Sequence, residues 1–211
     1  MRKTLLMNWH SKNNAMLFSL TAKNHATYAS KHEYDMLNLD IPYTVNLNLE
    51  LIRSLLKVWP QIIMIGSDIW FTNMNIDAST LADQNDALTM GPDPCANFPV
   101  NADFSIFQQT PLTDKLFDHI LEVQTRPGLP FGYQEAIKII IEEGGMDGLN
   151  VMPPRILQSF PRHTDILKPV REDTFWQPGD LCIHFVGGCN IKKCLDVLAF
   201  DQLGVVYNLT P

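Results

Sequence analysis

Two stretches of this chain bring together residues that can do chemistry. The first is Ile65-Gly66-Ser67-Asp68-Ile69-Trp70-Phe71-Thr72-Asn73, which follows the fully apolar run Gln61–Ile65. A carboxylate leaving a buried strand where the chain changes direction can take a divalent cation, and the cation can take a diphosphate. Asp68 can equally cap a turn. The second stretch is Gly179-Asp180-Leu181-Cys182-Ile183-His184-Phe185-Val186-Gly187-Gly188. In a strand Cys182 and His184 face the same way. His184 stands where the strand runs into glycines, which let a backbone approach a ligand closely. An imidazole there can ligate a metal, or be a satisfied core residue. Lys192 and Lys193 follow, and either can meet phosphate oxygens or simply face solvent.

Asn101-Ala102-Asp103 at a strand start and Tyr133-Gln134-Glu135-Ala136 at a helix start can present polar groups to a sugar or polyol. They can also be caps and surface residues. Asp103 and Glu135 are candidate general bases. A competing reading gives Cys182, His184, Cys189 and Cys194 to a structural zinc. Their spacing lacks a CxxC knuckle, and buried cysteines commonly act as small apolar residues.

The elements that must position these groups follow from periodicity. Lys3–Trp9, Asp35–Leu39, Gln61–Ile65, Ala102–Gln108 and Asp180–Phe185 read as strands. Asn13–His32, Asn46–Trp59, Thr113–Val123, Gly132–Glu143 and Ile191–Ala199 read as helices. The first helix is expected to bury Ala15, Met16, Leu20, Ala26 and Ala29. The second carries Leu47, Leu51, Leu55 and Val58 at helical spacing. A run apolar on both faces, as at Gln61–Ile65, suits a central strand covered by helices. Residues 76–99 read as loop with one helical turn, and residues 147–179 as loop with short strands. The order predicts an α/β layer structure, one domain over 1–211, with a central, largely parallel mixed sheet flanked by helices.

The 211 residues suffice for one sizeable core. With 16 Lys and Arg against 23 Asp and Glu, the net charge of −7 argues against nucleic acid and anionic membranes as partners. The four cysteines are too few for a disulfide framework. No apolar window is long enough for an integral membrane segment or a signal-peptide core, so the expected location is the cytoplasm, with reduced thiols.

Taken in order, the motifs resemble those of nucleotide-sugar glycosyltransferases of the GT-A fold, such as fungal α-mannosyltransferases and plant xyloglucan or galactomannan transferases. Asn24-x-x-x-Tyr28-Ala29-x-x-His32-x-Tyr34-Asp35 resembles their "N…YA..HGYD" segment. Gly66-Ser67-Asp68 with Phe71-Thr72-Asn73 resembles "DxD…TN", and Asn101-Ala102-Asp103 resembles "N-A-G". Tyr133-Gln134-Glu135-Ala136 resembles the "EQxA" helix start. Val151-Met152-Pro153-Pro154-Arg155 and Ser159-Phe160-Pro161 resemble "PQR…NSYP". Gly179-Asp180, His184-Phe185, Gly187 and Lys192 resemble the terminal "GDFxxHFxG" and the lysine beyond it.

The resemblance implies transfer of a hexose or pentose from a UDP- or GDP-sugar to a glycan or other hydroxyl acceptor, with retention. It implies Mn²⁺ or Mg²⁺ held by Asp68 and His184. Ser67, Asn101, Gly187 and Lys192 would contact the donor, and Gln134 and Asp103 would serve at the reacting sugar. Gln134 would act as a neutral dipole beneath it. The amino-terminal strand would lie near the base, and residues 76–99 and 147–178 would build the acceptor pocket. Two departures stand out: Gly66 replaces the first Asp of DxD, and Tyr133 replaces the acidic residue before Gln134. A non-catalytic nucleotide-sugar or glycan-binding protein on the same fold is the alternative. The absence of an anchor or stem before the first strand fits a soluble bacterial or viral enzyme, or a trimmed chain.

Overall fold

The computed structural model describes residues 3–10, 14–40, 45–126, 132–162, 169–186, 194, 196 and 197. Three strands come first: β1 (Thr4–His10), β2 (Asp35–Asp40) and β3 (Gln61–Gly66). They alternate with α1 (Ala15–Lys31) and α2 (Val45–Leu56). A short strand β4 (Ile69–Phe71) follows, then β5 (Leu88–Gly91) and β6 (Asn101–Gln108). The chain continues through α3 (Thr113–Gln124), α4 (Tyr133–Glu142), β7 (Leu149–Val151) and β8 (Cys182–His184).

Six strands form one sheet in the order β2-β1-β3-β6-β5-β7. β1 pairs in parallel with β2 and β3, and β5 with β7, while β6 runs antiparallel to both β3 and β5. The sheet is therefore mixed, with β6 reversed against five co-directional strands. A separate antiparallel ribbon joins β4 to β8.

Alternation along the central strands explains the unbroken apolar run of β3. Leu5, Met7, Ile62, Met64 and Phe107 face one core, which is closed by Leu49, Ile52 and Leu56 of α2 and by the apolar faces of α3 and α4. Leu6, Ile63, Ile65, Phe104 and Ile106 face the other, closed by Tyr28 and Ala29 of α1 and by Ile69 and Phe71 of β4. Gly144 and Gly145 close α4 by donating to Ile141 and Ile140 carbonyls. Gly144 takes φ +80°, the left-handed conformation that glycine adopts without a Cβ penalty. No helix among the described residues is long and apolar enough to cross a membrane.

Three sequence expectations are corrected here. Residues 76–99 contain a buried strand, β5, besides a 3₁₀ turn at Ala78–Thr80. Its four residues are too short to show a period, and pairing with β6 and β7 makes the strand. Helix α2 turns Leu49, Ile52 and Leu56 inward and ends before Val58, which is exposed. Helix α1 buries Leu17, Thr21, Asn24, His25, Tyr28 and Ala29, while Ala15, Met16 and Ala26 are exposed. The buried face of α1 is largely polar because its partner is backbone. The expected helix at Ile191–Ala199 lies largely outside the described residues.

Candidate functional site

The polar face of α1 holds the segment that carries Asp68. Thr21 Oγ1 donates to the Ser67 carbonyl at 2.9 Å. The His25 ring meets the Ile69 carbonyl through Nε2 at 2.6 Å and Asn8 Nδ2 through Nδ1 at 2.9 Å. Asn24 donates to the Phe71 carbonyl at 3.0 Å and accepts from the Phe71 amide at 2.8 Å. One turn further on, the Tyr28 hydroxyl donates to the Ile76 carbonyl and accepts from the Ala78 amide. Positions 21, 24, 25 and 28 lie on one helical stripe. Together they fix residues 67–78 where side chains alone would leave irregular backbone unsatisfied. Complete burial lowers the His25 pKa to about 4. The ring is therefore neutral near pH 7, with its proton on the nitrogen that meets the carbonyl.

His184 reaches the same place from the other ribbon strand. Ile69 pairs with His184 across β4 and β8. The Phe185 amide donates to the Asp68 carbonyl at 2.9 Å, and the His184 amide to the Ser159 carbonyl at 2.8 Å. The His184 Nε2 atom stands 3.3 Å from Asp68 Oδ1 and 3.4 Å from Asp103 Oδ2. One ligand-type atom from each of Asp68, Asp103 and His184 lies within 4.8 Å of the others.

The other ring nitrogen, Nδ1, is 3.1 Å from Gln158 Oε1. The Gln158 amide nitrogen points the opposite way, to the Asn101 carbonyl at 3.4 Å and Asn101 Oδ1 at 3.2 Å. That orientation makes Oε1 the acceptor and puts a ring proton on Nδ1, so Nε2 faces the carboxylates. Three Lewis bases converging in this way call for a positive charge among them, a proton or a metal ion. Two carboxylates and an imidazole whose far nitrogen is held by a buried amide form a donor set suited to a divalent cation.

Asn101 continues the network. Its amide donates to Asp93 Oδ2 at 2.9 Å, and its Oδ1 accepts from the Asp103 amide at 3.1 Å. Asp93 also accepts from the Cys95 amide, and burial raises its pKa above the ordinary carboxyl value. Gln134, in the first turn of α4, accepts from the Ala102 amide at 2.8 Å. Tyr133 donates to the Ala102 carbonyl at 2.6 Å. The start of α4 thus grips both polar atoms of the residue between Asn101 and Asp103.

Ser67, Asp68, Asn101, Asp103, Gln134 and His184 are therefore assembled around one end of β3 and β6. Ser67 is buried, with its carbonyl taken by Thr21. Gly187 and Lys192 lie outside the described residues. Cys182 directs its thiol to the Leu157 carbonyl at 3.2 Å. The one group of ligating residues found among the described residues joins His184 to two carboxylates and contains no cysteine. Cys189 of the zinc reading is also outside the described residues.

Sequence reasoning missed Gln158, Asp93, Thr21 and His25, and met Asn24 and Tyr28 only as residues of a motif, not as part of one buried polar stripe. Polar residues at helical spacing were the available signal for the stripe. Gln158 and Asp93 lie in irregular segments that carry no period.

No protein-family model matches the sequence, and no curated protein matches it by sequence. Solved structures do match the fold. A glycosyltransferase involved in the glycosylation of the major capsid of PBCV-1 aligns with TM-score 0.70 at 13% identity, over 93% of this chain and 98% of that one. The galactosyltransferase LgtC, in complex with donor and acceptor sugar analogues, aligns with TM-score 0.54 at 12% identity, over 98% and 97%. The bifunctional glycosyltransferase WbbM, in its apo form, aligns with TM-score 0.59 at 11% identity, over 95% of this chain and 51% of that one. At these identities the likeness is one of fold: the chain has the GT-A, Rossmann-like architecture of glycosyltransferases.

Proposed function

We propose that this chain is a metal-dependent glycosyltransferase that moves a hexose or pentose from a nucleoside-diphosphate sugar to a glycan or other hydroxyl acceptor, with retention. The observation that carries the reading is the convergence of Asp68 and His184 at the edge of a GT-A sheet, with His184 Nε2 held 3.3 Å from the carboxylate. Open α/β sheets bind ligands at this edge, outside the carboxyl ends of their strands.

Asp68 and His184 would hold Mn²⁺ or Mg²⁺, a cation that supplies Lewis-acid stabilisation to a diphosphate leaving group. The protein's own contribution is position. Thr21, Asn24 and His25 fix the backbone of residues 67–71, and Gln158 sets the tautomer and plane of His184. Asn101 and Gln134 are roles at the donor sugar, and Gly187 and Lys192 roles at its phosphates. Gln134 is read as a neutral dipole beside the sugar, and its Oε1 is held by the Ala102 amide at 2.8 Å. UDP and GDP donors fit the reading equally. The likeness to fungal mannosyltransferases and plant xyloglucan transferases is part of the same proposal. Gly66, which lacks the first carboxylate of DxD, favours a second reading: a nucleotide-sugar binder without turnover.

A thermal-shift panel of UDP- and GDP-sugars, each with and without Mn²⁺, tests the proposal. One donor at about a hundredfold excess over its Kd should raise Tm by about 5–10 °C, only when Mn²⁺ is present. No shift with any donor, with or without metal, contradicts it. Release of nucleoside diphosphate with the shifting donor separates transfer from binding alone, and NMR of the product's anomeric proton reads retention.

A further inference from the structure

We infer that Asp103 is a third ligand of this cation, supplied by β6 from across Gly66 of β3. The inference rests on the cation site proposed above and extends it. In the antiparallel pairing of β3 with β6, Ile65 lies opposite Phe104. One step further along that register, position 66 faces position 103, and their side chains point to the same side of the sheet. A Cβ placed on Gly66 would lie 3.4 Å from the Asp103 Cβ, 3.5 Å from its Cγ and 2.9 Å from Asp68 Oδ1. Positions 66 and 103 are therefore neighbours across the strand pair, in ordinary van der Waals contact beside Asp68. From that position Asp103 brings its Oδ2 to 3.4 Å from His184 Nε2.

The surroundings suit a ligand rather than a group on the sugar. His184 is fully buried and its Nε2 is aimed at both carboxylates. Gln158 fixes the far side of the ring. The Asp103 amide is tied to Asn101 Oδ1, and Asn101 is tied in turn to Gln158 and Asp93. Asp103 is thus anchored to the network that orients His184. Its side chain is 33% exposed against 12% for Asp68. The cluster accordingly opens to solvent on the Asp103 side, where a ligand to the cation can enter.

The test is a titration of the intact protein with Mn²⁺ alone, read as loss of the free-ion EPR signal, with Tm in metal-free buffer as the folding control. Asp103→Asn and Asp103→Gly should each weaken Mn²⁺ binding by about tenfold or more, at least the loss typical of supporting groups around a metal. Gly66→Asp combined with Asp103→Gly moves the carboxylate back to the opposing strand and should recover most of that affinity. Wild-type affinity in both Asp103 variants, with turnover lost, overturns the inference and returns Asp103 to the reacting sugar. Failure of the wild type to bind Mn²⁺ overturns the cation reading itself, and this inference with it.

Discussion

Strands β1, β3 and β6 present a row of polar residues at each end, and the two rows behave differently. At one end Thr4, Gln61 and Gln108 stand in register. Thr4 donates to Gln61 at 2.9 Å, Gln61 donates to the Ser79 carbonyl at 2.9 Å, and Gln108 donates to the Asp86 carbonyl at 3.1 Å. Every group in that row is neutral, and donors match acceptors. A cavity of about 570 Å³ opens there, lined by Gln61, Gln108, Tyr34 and Asp77 among others. At the other end Trp9 pairs with Gly66, beside Asp68 and Asp103, and two carboxylates converge on a buried imidazole. The first row closes on itself and is explained by packing. The second brings two carboxylates onto one imidazole, a donor set suited to a cation.

The comparison is broken most directly at Asp68. Asp68→Asn should cost about a thousandfold in donor-dependent turnover, because several kcal/mol of charge stabilisation goes with the cation. Its Tm in metal-free buffer should stay near wild type, since α1 holds the backbone of this segment through Ser67, Ile69 and Phe71. Full activity in this variant would remove the metal assignment.

The two ends should also respond differently to acid. His25 titrates at about 4 in the fold against 6.5 unfolded. Between these values the unfolded chain binds more protons, so stability rises with pH across the window and is lost as pH falls from about 6.5 to about 4. The difference in pKa bounds the loss at roughly 3 kcal/mol. Urea melts at pH 7 and pH 5 should show roughly 2 kcal/mol of this loss in the wild type and less in His25→Gln. An equal loss in both would sever His25 from the acid sensitivity.

Two milder substitutions sharpen the contrast. Gln158→Leu removes the acceptor behind His184 and should weaken Mn²⁺ binding about 10–100-fold. Gln61→Leu, in the opposite row, should cost about 1–3 kcal/mol of stability by stranding Thr4 and the Ser79 carbonyl, and leave Mn²⁺ affinity unchanged. A metal-binding defect in Gln61→Leu would mean that the two rows are coupled through the strands.

Much of this arrangement was legible in the sequence. The apolar run Gln61–Ile65 announced a central strand, and the groups following it included Asp68. His184 stood out because its strand ends in glycines. Other features depend on partners distant in the chain. The burial of α1 was misread because its inward face is polar and answers to the backbone of residues 67–78, a partner with no hydrophobic signature. Strand β5 was missed because four residues carry no period. Gly66 read as the loss of a carboxylate and Asp103 as a separate group. Only the antiparallel register of β3 and β6 places them across from each other. A register between strands about forty residues apart is set by tertiary packing, so spacing along the chain could not show it.

An anomalous-scattering map from crystals of the wild-type protein grown with Mn²⁺ and a nucleoside diphosphate tests the central claim most directly. The account expects a single strong peak among Asp68, Asp103 and His184, with diphosphate density against it. A peak elsewhere, such as in the cavity beside Gln61 and Gln108, or no peak at saturating Mn²⁺, would contradict it.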